Sequence, residues 1–356
     1  FGSELGTYKP GISIARYAND LVTWEIAKKF NLGFELGLFS DFTVLGDYFT
    51  ETRENILQTR QNVPSTMGLM TIPQSNLGIA AGKGFEFELK YQKSFNKDLW
   101  LVANGNFTYA TSKYKKVEEP DYSDTPWRSL VGRKLNQMEG YIAERLFIDD
   151  EEVSNSPMQN FGDATRTMAE DIKYKDINND DVINSDDLVP IGYPTTPEII
   201  YGAGFSVGFK RLDLSTFFQG SARSSFMLNV SAITPFVNNG QRALLKYIAD
   251  DHWSEHNRSF TPFWPRLSEN VIQNNAQNST YWLQDGSFIR LKTAELGYTL
   301  PERLSNKLKI NTLRFYLSGV NLWVWSKFKL WDPEMAGNGL GYPVQRVYNL
   351  GVNITF

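Results

Sequence analysis

Cysteine is absent from the 356-residue chain. That absence excludes a disulfide framework, thiolate metal sites and cysteine nucleophiles. A charge surplus is missing too: 36 Lys and Arg face 40 Asp and Glu, for a formal charge of −4. A protein that grips nucleic acid through phosphates needs a basic excess, so no nucleic-acid partner is expected. No run of about 18 apolar residues occurs, which removes a transmembrane helix. No basic-then-apolar leader follows Phe1, and the expectation is a piece of something longer. No glycine-rich phosphate loop opens a helix, and no Ser or His stands in a nucleophile context, so no enzyme is expected.

Aromatic residues are plentiful instead, at 14% of the chain. Many stand in period-two alternation. Phe30, Leu32, Phe34, Leu36 and Leu38 share one parity, opposite Asn31, Gly33 and Glu35. Tyr348, Leu350, Val352, Ile354 and Phe356 alternate with Asn349, Gly351, Asn353 and Thr355. Successive strand side chains point to opposite faces, so each segment predicts a strand with one apolar and one polar face. Nine strands are predicted, near 24–39, 42–52, 83–95, 98–112, 198–210, 212–222, 284–299, 311–323 and 346–356. In the seventh, the apolar parity switches between Leu291 and Ala294, which predicts a bulge near Thr293.

The connections alternate in length. Ser40–Asp41, Asn96–Lys97, Lys210–Arg211 and Pro301–Asn311 are short, whereas 53–82, 113–197, 223–283 and 324–345 are long. A soluble sandwich has no reason to place every long loop at one end, but a transmembrane β-barrel does. Strands of about 11–16 residues exceed the usual globular length and suffice to cross a bilayer at a tilt. The expected fold is therefore all-β, an antiparallel transmembrane β-barrel with lipid on its apolar face and a wet lumen on the other. A soluble β-rich carbohydrate-binding or adhesion protein would also alternate and is the rival of a different class. Hydrocarbon offers no partner to an unpaired backbone, so a spanning sheet must close. Nine strands leave two free edges, and the remaining strands are expected before Phe1.

Several passages have a recognisable form. They include Trp24-Glu25, Phe217-Phe-Gln-Gly220, the stretch from Ser279 to Pro301 with Trp282-Leu-Gln-Asp-Gly-Ser-Phe288 at its heart, Ser318-Gly-Val-Asn-Leu322, Trp331-Asp-Pro-Glu334, and Gly341-Tyr-Pro-Val-Gln-Arg-Val-Tyr348 running on to Phe356. Together, from about Tyr17 to Phe356, they resemble the SusC/RagA family of TonB-linked outer-membrane proteins of Bacteroidota. The resemblance implies an incomplete barrel: about nine C-terminal strands of about 22. The plug domain would be absent and residues 1–356 would form part of one barrel domain. It further implies an outer membrane of Gram-negative type, long extracellular loops containing short helices, and a periplasmic C-terminus. A SusD-like surface lipoprotein would act as lid, the TonB complex would engage through a missing N-terminal part, and the cargo would be oligosaccharides or peptides. A siderophore- or cobalamin-type receptor is the alternative within the same architecture. Tyr348, Leu350, Val352, Ile354 and Phe356 would form the ending read by the barrel-assembly machinery.

Three further features invite functional readings. Asp176, Asn178, Asp180, Val182, Asn184 and Asp187 occupy positions 1, 3, 5, 7, 9 and 12 of an EF-hand-type calcium loop. Asp181 replaces the glycine usual at position 6, and Asp187 is shorter than the usual Glu. Structural calcium is the one cofactor expectation; an acidic solvated turn is the plainer reading. His252 and His256 have a metal-chelating spacing, but the intervening Glu does not match a zinc-protease order. Trp127, Trp253, Trp264, Trp282 and Trp331 fall in the long connections and are expected to contact solute or lid, or to anchor loops to one another.

Overall fold

A computed structural model describes residues 13–162, 166–237, 240–307 and 309–356. Nine strands pair in chain order in one antiparallel sheet: β1 (Ile26–Leu38), β2 (Phe42–Thr59), β3 (Gln74–Ser94), β4 (Leu99–Lys116), β5 (Ile199–Phe209), β6 (Leu212–Ala222), β7 (Phe288–Thr299), β8 (Thr312–Ser326) and β9 (Val347–Thr355). Every expected strand is present. No helix among the described residues is long and apolar enough to cross a membrane.

The chain divides into two compact units, one of residues 1–31, 49–83 and 111–135, the other of 32–48, 84–110 and 136–356. In the first, β2, β3 and β4 run further than their alternation indicated. The expected 53–82 loop is strand except for residues 60–73. Charged pairs tie it to its surroundings: Lys28 pairs with Glu54 at 2.7 Å, and Arg60 Nε donates to both oxygens of Glu118 at 2.8 Å. Charged and small residues weaken the period-two signature here, which is why the strand length was hidden.

In the second unit, cross-strand register sorts the residues into rows. Leu99, Phe209, Leu212, Tyr298, Phe315 and Val352 are successive partners from β4 to β9. Two residues along each strand, Leu101, Val207, Leu214, Leu296, Leu317 and Leu350 repeat the pattern. Among the described residues no second layer covers these rows: Leu296 is 50% exposed, Leu317 54% and Leu350 82%. On β1, Phe30, Leu32, Phe34, Leu36 and Leu38 are exposed as well. A continuous apolar surface of this extent is favourable only against another apolar phase.

The intervening parity is polar. Ser206, Ser215, Glu295, Ser318 and Asn349 form one row of partners. Arg314 joins two strands here, donating to the Asp213 carboxylate and to Glu295 at 2.7 Å. Two glycines make room for rings on this face. A Cβ at Gly208 would meet Trp100 at 2.1 Å, and one at Gly351 would meet Tyr316 at 2.2 Å. The expected bulge lies one residue from Thr293: the register skips Lys292, and β8 compensates at Asn321, which adopts φ 55. Pro301–Asn311, expected as a plain connection, carries a short helix, Glu302–Lys307.

Candidate functional site

The long connections after β4, β6 and β8 fold together, within the second unit, into one platform. Leu146, Ile172 and Tyr174 from the first, Ile233, Ile248 and Trp282 from the second, and Phe328 from the third share a hydrophobic cluster. Rings stitch it together. Trp264 and Trp282 lie 5.1 Å apart by centroid, Tyr281 and Trp282 4.9 Å, and Phe328 stands 5.0 Å from both Phe226 and Trp331. Short strand pairs frame the cluster: Gln137–Gly140 with Val189–Pro194, Ala143–Leu146 with Ile172–Tyr174, and Ser225–Met227 with Leu283–Asp285.

A polar network locks the first two connections. Asp171 is fully buried and accepts from Arg266 Nε at 2.8 Å, from the Asn275 amide at 2.9 Å and from the Met168 N–H at 3.1 Å. Burial pushes its carboxyl up from the ordinary value, and the Arg266 guanidinium opposes that rise. Gln159 donates to Asn274 at 2.7 Å while accepting from the Tyr174 N–H at 2.7 Å, and the Tyr174 hydroxyl donates to the Asn274 carbonyl at 2.7 Å. Buried polar groups that are all satisfied specify one arrangement of the segments carrying them. Nearby, Arg145 grips both oxygens of Glu152 at 2.6 and 2.9 Å and Lys173 adds a contact at 2.8 Å. Chiefly through Arg145, the Glu152 carboxyl is held down at about 2.

The third connection is tied to the sheet by two of the quoted sequence passages. Arg290 on β7 is 2% exposed, and its guanidinium donates to both Asp332 oxygens at 2.6 and 2.8 Å and reaches Glu334 at 2.7 Å. Asp332 also accepts from the Glu334 N–H at 3.0 Å, capping the turn at Pro333–Met335. Sequence spacing gave no hint of the Asp171–Arg266 and Arg290–Asp332 clasps, because each joins residues far apart in the chain.

The structure places the expected site residues as follows. Trp282 is 1% exposed and Trp264 5%, with Trp282 Nε1 donating to the Asn275 carbonyl at 2.7 Å. Both rings are buried within the cluster, where they join segments of the long connections. Trp253 and Trp331 pack half-buried against the same cluster, and Trp331 Nε1 donates to the Ala336 carbonyl at 2.7 Å. Trp127 lies in the first unit, in the turn Pro126–Arg128. His252 Nδ1 sits 3.0 Å from the Ile248 carbonyl at the end of helix Lys246–Asp250, a capping position. Tyr348, Leu350, Val352, Ile354 and Phe356 all lie exposed in one row along β9 and its end.

The 176–187 segment is held in a tight turn by its own side chains. Asp176 accepts from the Asn179 and Asp181 N–H groups at 2.7 and 2.9 Å, and Asp180 accepts from the Val182 N–H at 2.9 Å. Asp187, fully buried, accepts from Ile177 and Asn184 at 2.7 and 2.9 Å. Asp181 takes φ 62, the conformation that glycine usually supplies at that position. Asn178 donates to Asp180, Asn184 accepts from Asp186, and Val182 pairs in a short parallel bridge with Met158. Among the described residues no group of three or more His, Asp or Glu is placed to hold a metal ion. These hydrogen bonds shape the turn, and structural calcium remains what the spacing of the sequence suggests.

A cleft of about 470 Å³ opens on the platform, lined by Pro157, Met158, Asn160, Phe161 and Arg166 among others. It presents an aromatic ring, an amide and a guanidinium side by side, groups suited to a polar solute with apolar parts.

No protein-family model matches the chain. Two curated proteins of Formosa agariphila are similar along almost all of it. TonB-dependent receptor P26 is 28% identical over 99% of this chain and 36% of its own length. TonB-dependent receptor P3 is 28% identical over 97% and 36%. Among solved structures, the RagAB peptide importer in its closed-closed state superimposes with a TM-score of 0.70 at 23% identity, covering 97% of this chain and 37% of that one. That likeness establishes a shared fold. The chain spans little more than a third of the length of these relatives.

Proposed function

We propose that the chain is of TonB-dependent receptor type and supplies nine strands of an outer-membrane barrel that imports oligosaccharides or peptides; the SusC/RagA resemblance fits both the curated relatives and the shared fold. The relatives are receptors and importers rather than enzymes, and the reading calls for no chemical step. The strands span the bilayer with the apolar rows against acyl chains. The platform faces the exterior, borders the solute vestibule and seats a SusD-like lipoprotein lid. Energy comes through TonB, acting on a part of the receptor outside these strands. The exposed β9 row is the ending that the barrel-assembly machinery reads.

The single observation that carries this reading is the uncovered apolar face. Tyr348 and Leu350 on β9 and Phe30 and Leu32 on β1 are between 57% and 82% exposed, with no layer of this chain over them among the described residues. Water would reject that surface; hydrocarbon accepts it. Fractionation of cells producing the protein tests it. The expected product sediments with outer membranes and needs detergent for extraction. A monodisperse product in detergent-free buffer would sink the reading and favour the soluble β-rich rival. Co-purification with a surface lipoprotein, lost when the platform is deleted, is the expected result for the lid.

A further inference from the structure

A second cleft, of about 920 Å³, opens among the short turns of the second unit. One wall is the end of the apolar face. Phe209, Leu212 and Tyr298 are cross-strand neighbours on β5, β6 and β7, exposed by 53%, 50% and 41%. The other wall is cationic. Lys210 and Arg211 form the two-residue turn between β5 and β6, and Arg303 stands on the Glu302–Lys307 helix. All three are exposed, and Lys210 Nζ lies 5.3 Å from the centre of the Phe209 ring.

Asp98 and Glu302 also line the cleft, leaving it with one positive charge in excess. The surroundings extend that excess. The four short connections carry Lys97, Lys210, Arg211, Arg303, Lys307 and Lys309 against Asp41, Asp98 and Glu302, and Asp41 is itself paired with Lys93 at 2.8 Å. The longest connection differs in sign, with acids outnumbering bases across 113–197.

A ligand for this cleft must satisfy two walls at once. A small soluble anion would match the cations and leave the rings of Phe209 and Tyr298 wet. A lipid with no net charge would cover the rings and leave the cations unmatched. An acyl chain laid on the apolar row, with a phosphate among Lys210, Arg211 and Arg303, answers both demands. We propose that this cleft is a binding site for an anionic phospholipid of the leaflet that meets the short turns. The proposal rests on the membrane reading given above and goes beyond it, since transport does not require such a site.

Native mass spectrometry of the full chain in a neutral detergent tests it, with phosphatidylglycerol, phosphatidylcholine or inorganic phosphate as probe. The wild type is expected to retain phosphatidylglycerol over phosphatidylcholine. Combined Lys210→Gln, Arg211→Gln and Arg303→Gln should weaken that preference about tenfold, while Lys97→Gln, outside the cleft lining, leaves it intact. Equal retention of both lipids by the wild type overturns the proposal. So does a preference unchanged in the triple variant, or displacement of the lipid by inorganic phosphate, which would mark a soluble-anion site. The wild-type comparison stands without the variant, so misfolding of the triple substitution does not blunt the test. Failure of the membrane reading would show earlier, as a chain that needs no detergent at all.

Discussion

Tyr348 on β9 and Trp282 in the platform are both large rings in an aromatic-rich chain, yet one is 65% exposed and the other 1%. The sheet displays its apolar side chains in register rows, one row per two residues. The platform withdraws the same kinds of side chain from water into a cluster of its own. On the proposed membrane reading, two solvents explain the contrast. A sheet face in hydrocarbon gains nothing by being covered, whereas connections in water stay ordered by burying what they carry. An aromatic residue in a long connection is therefore a candidate for the platform's interior before it is a candidate for solute contact.

The contrast is sharpest at Trp282. Trp282→Ala empties the centre of the cluster and removes the hydrogen bond to the Asn275 carbonyl, so a loss of about 3–5 kcal/mol in platform stability is expected. Thermal unfolding followed by near-ultraviolet dichroism would measure it, and a loss below that seen for Leu350→Ala would break the comparison. On the sheet the informative change is one of polarity. Leu317→Arg is expected to cost about 2–4 kcal/mol when the protein is unfolded from lipid vesicles, while Leu317→Ala costs much less. A neutral Leu317→Arg would mean that the row does not meet lipid.

Acid separates the regions by a smaller amount. The Glu152 carboxyl is held down from 4.5 to about 2, so its stabilising contribution is full above about pH 4.5 and is lost as pH falls through about 2. Glu152→Gln should cost about 1–2 kcal/mol at neutral pH, after allowing for the partial exposure of Arg145. That difference from wild type should vanish across the same interval in an acid titration of platform unfolding. The smallest effect is expected from calcium. The turn at 176–187 is already held by backbone N–H groups on its carboxylates, so the gain in protease resistance there between a chelator and millimolar calcium should be small. A large gain that appears only with calcium would overturn that expectation.

The strands were legible because a sheet with one face in each of two media writes its geometry into the sequence as alternation. All nine were visible, and the bulge was placed within one residue, at Lys292 rather than Thr293. Legibility failed where that contrast of media ends. Residues 53–59 of β2 and 74–82 of β3 carry few large apolar side chains, and they read as loop although they are strand. The platform was illegible for a different reason. Its cluster joins Leu146, Ile233 and Phe328 from three connections, and no local pattern reports a contact made across such separations. The histidine pair shows the same limit: its spacing suggested a ligand, but the His252 ring is engaged at the end of a helix.

Arg290 is rooted in β7, and it holds Asp332 and Glu334 with one guanidinium while lying almost wholly out of solvent. Swinging the segment after β8 away from the sheet would strip two carboxylates from a buried cation, a far greater penalty than bending the chain elsewhere. The Trp331–Glu334 stretch is thus a fixed post. Any gate built from this segment must pivot on the residues between Gly337 and Arg346, leaving the post where it stands.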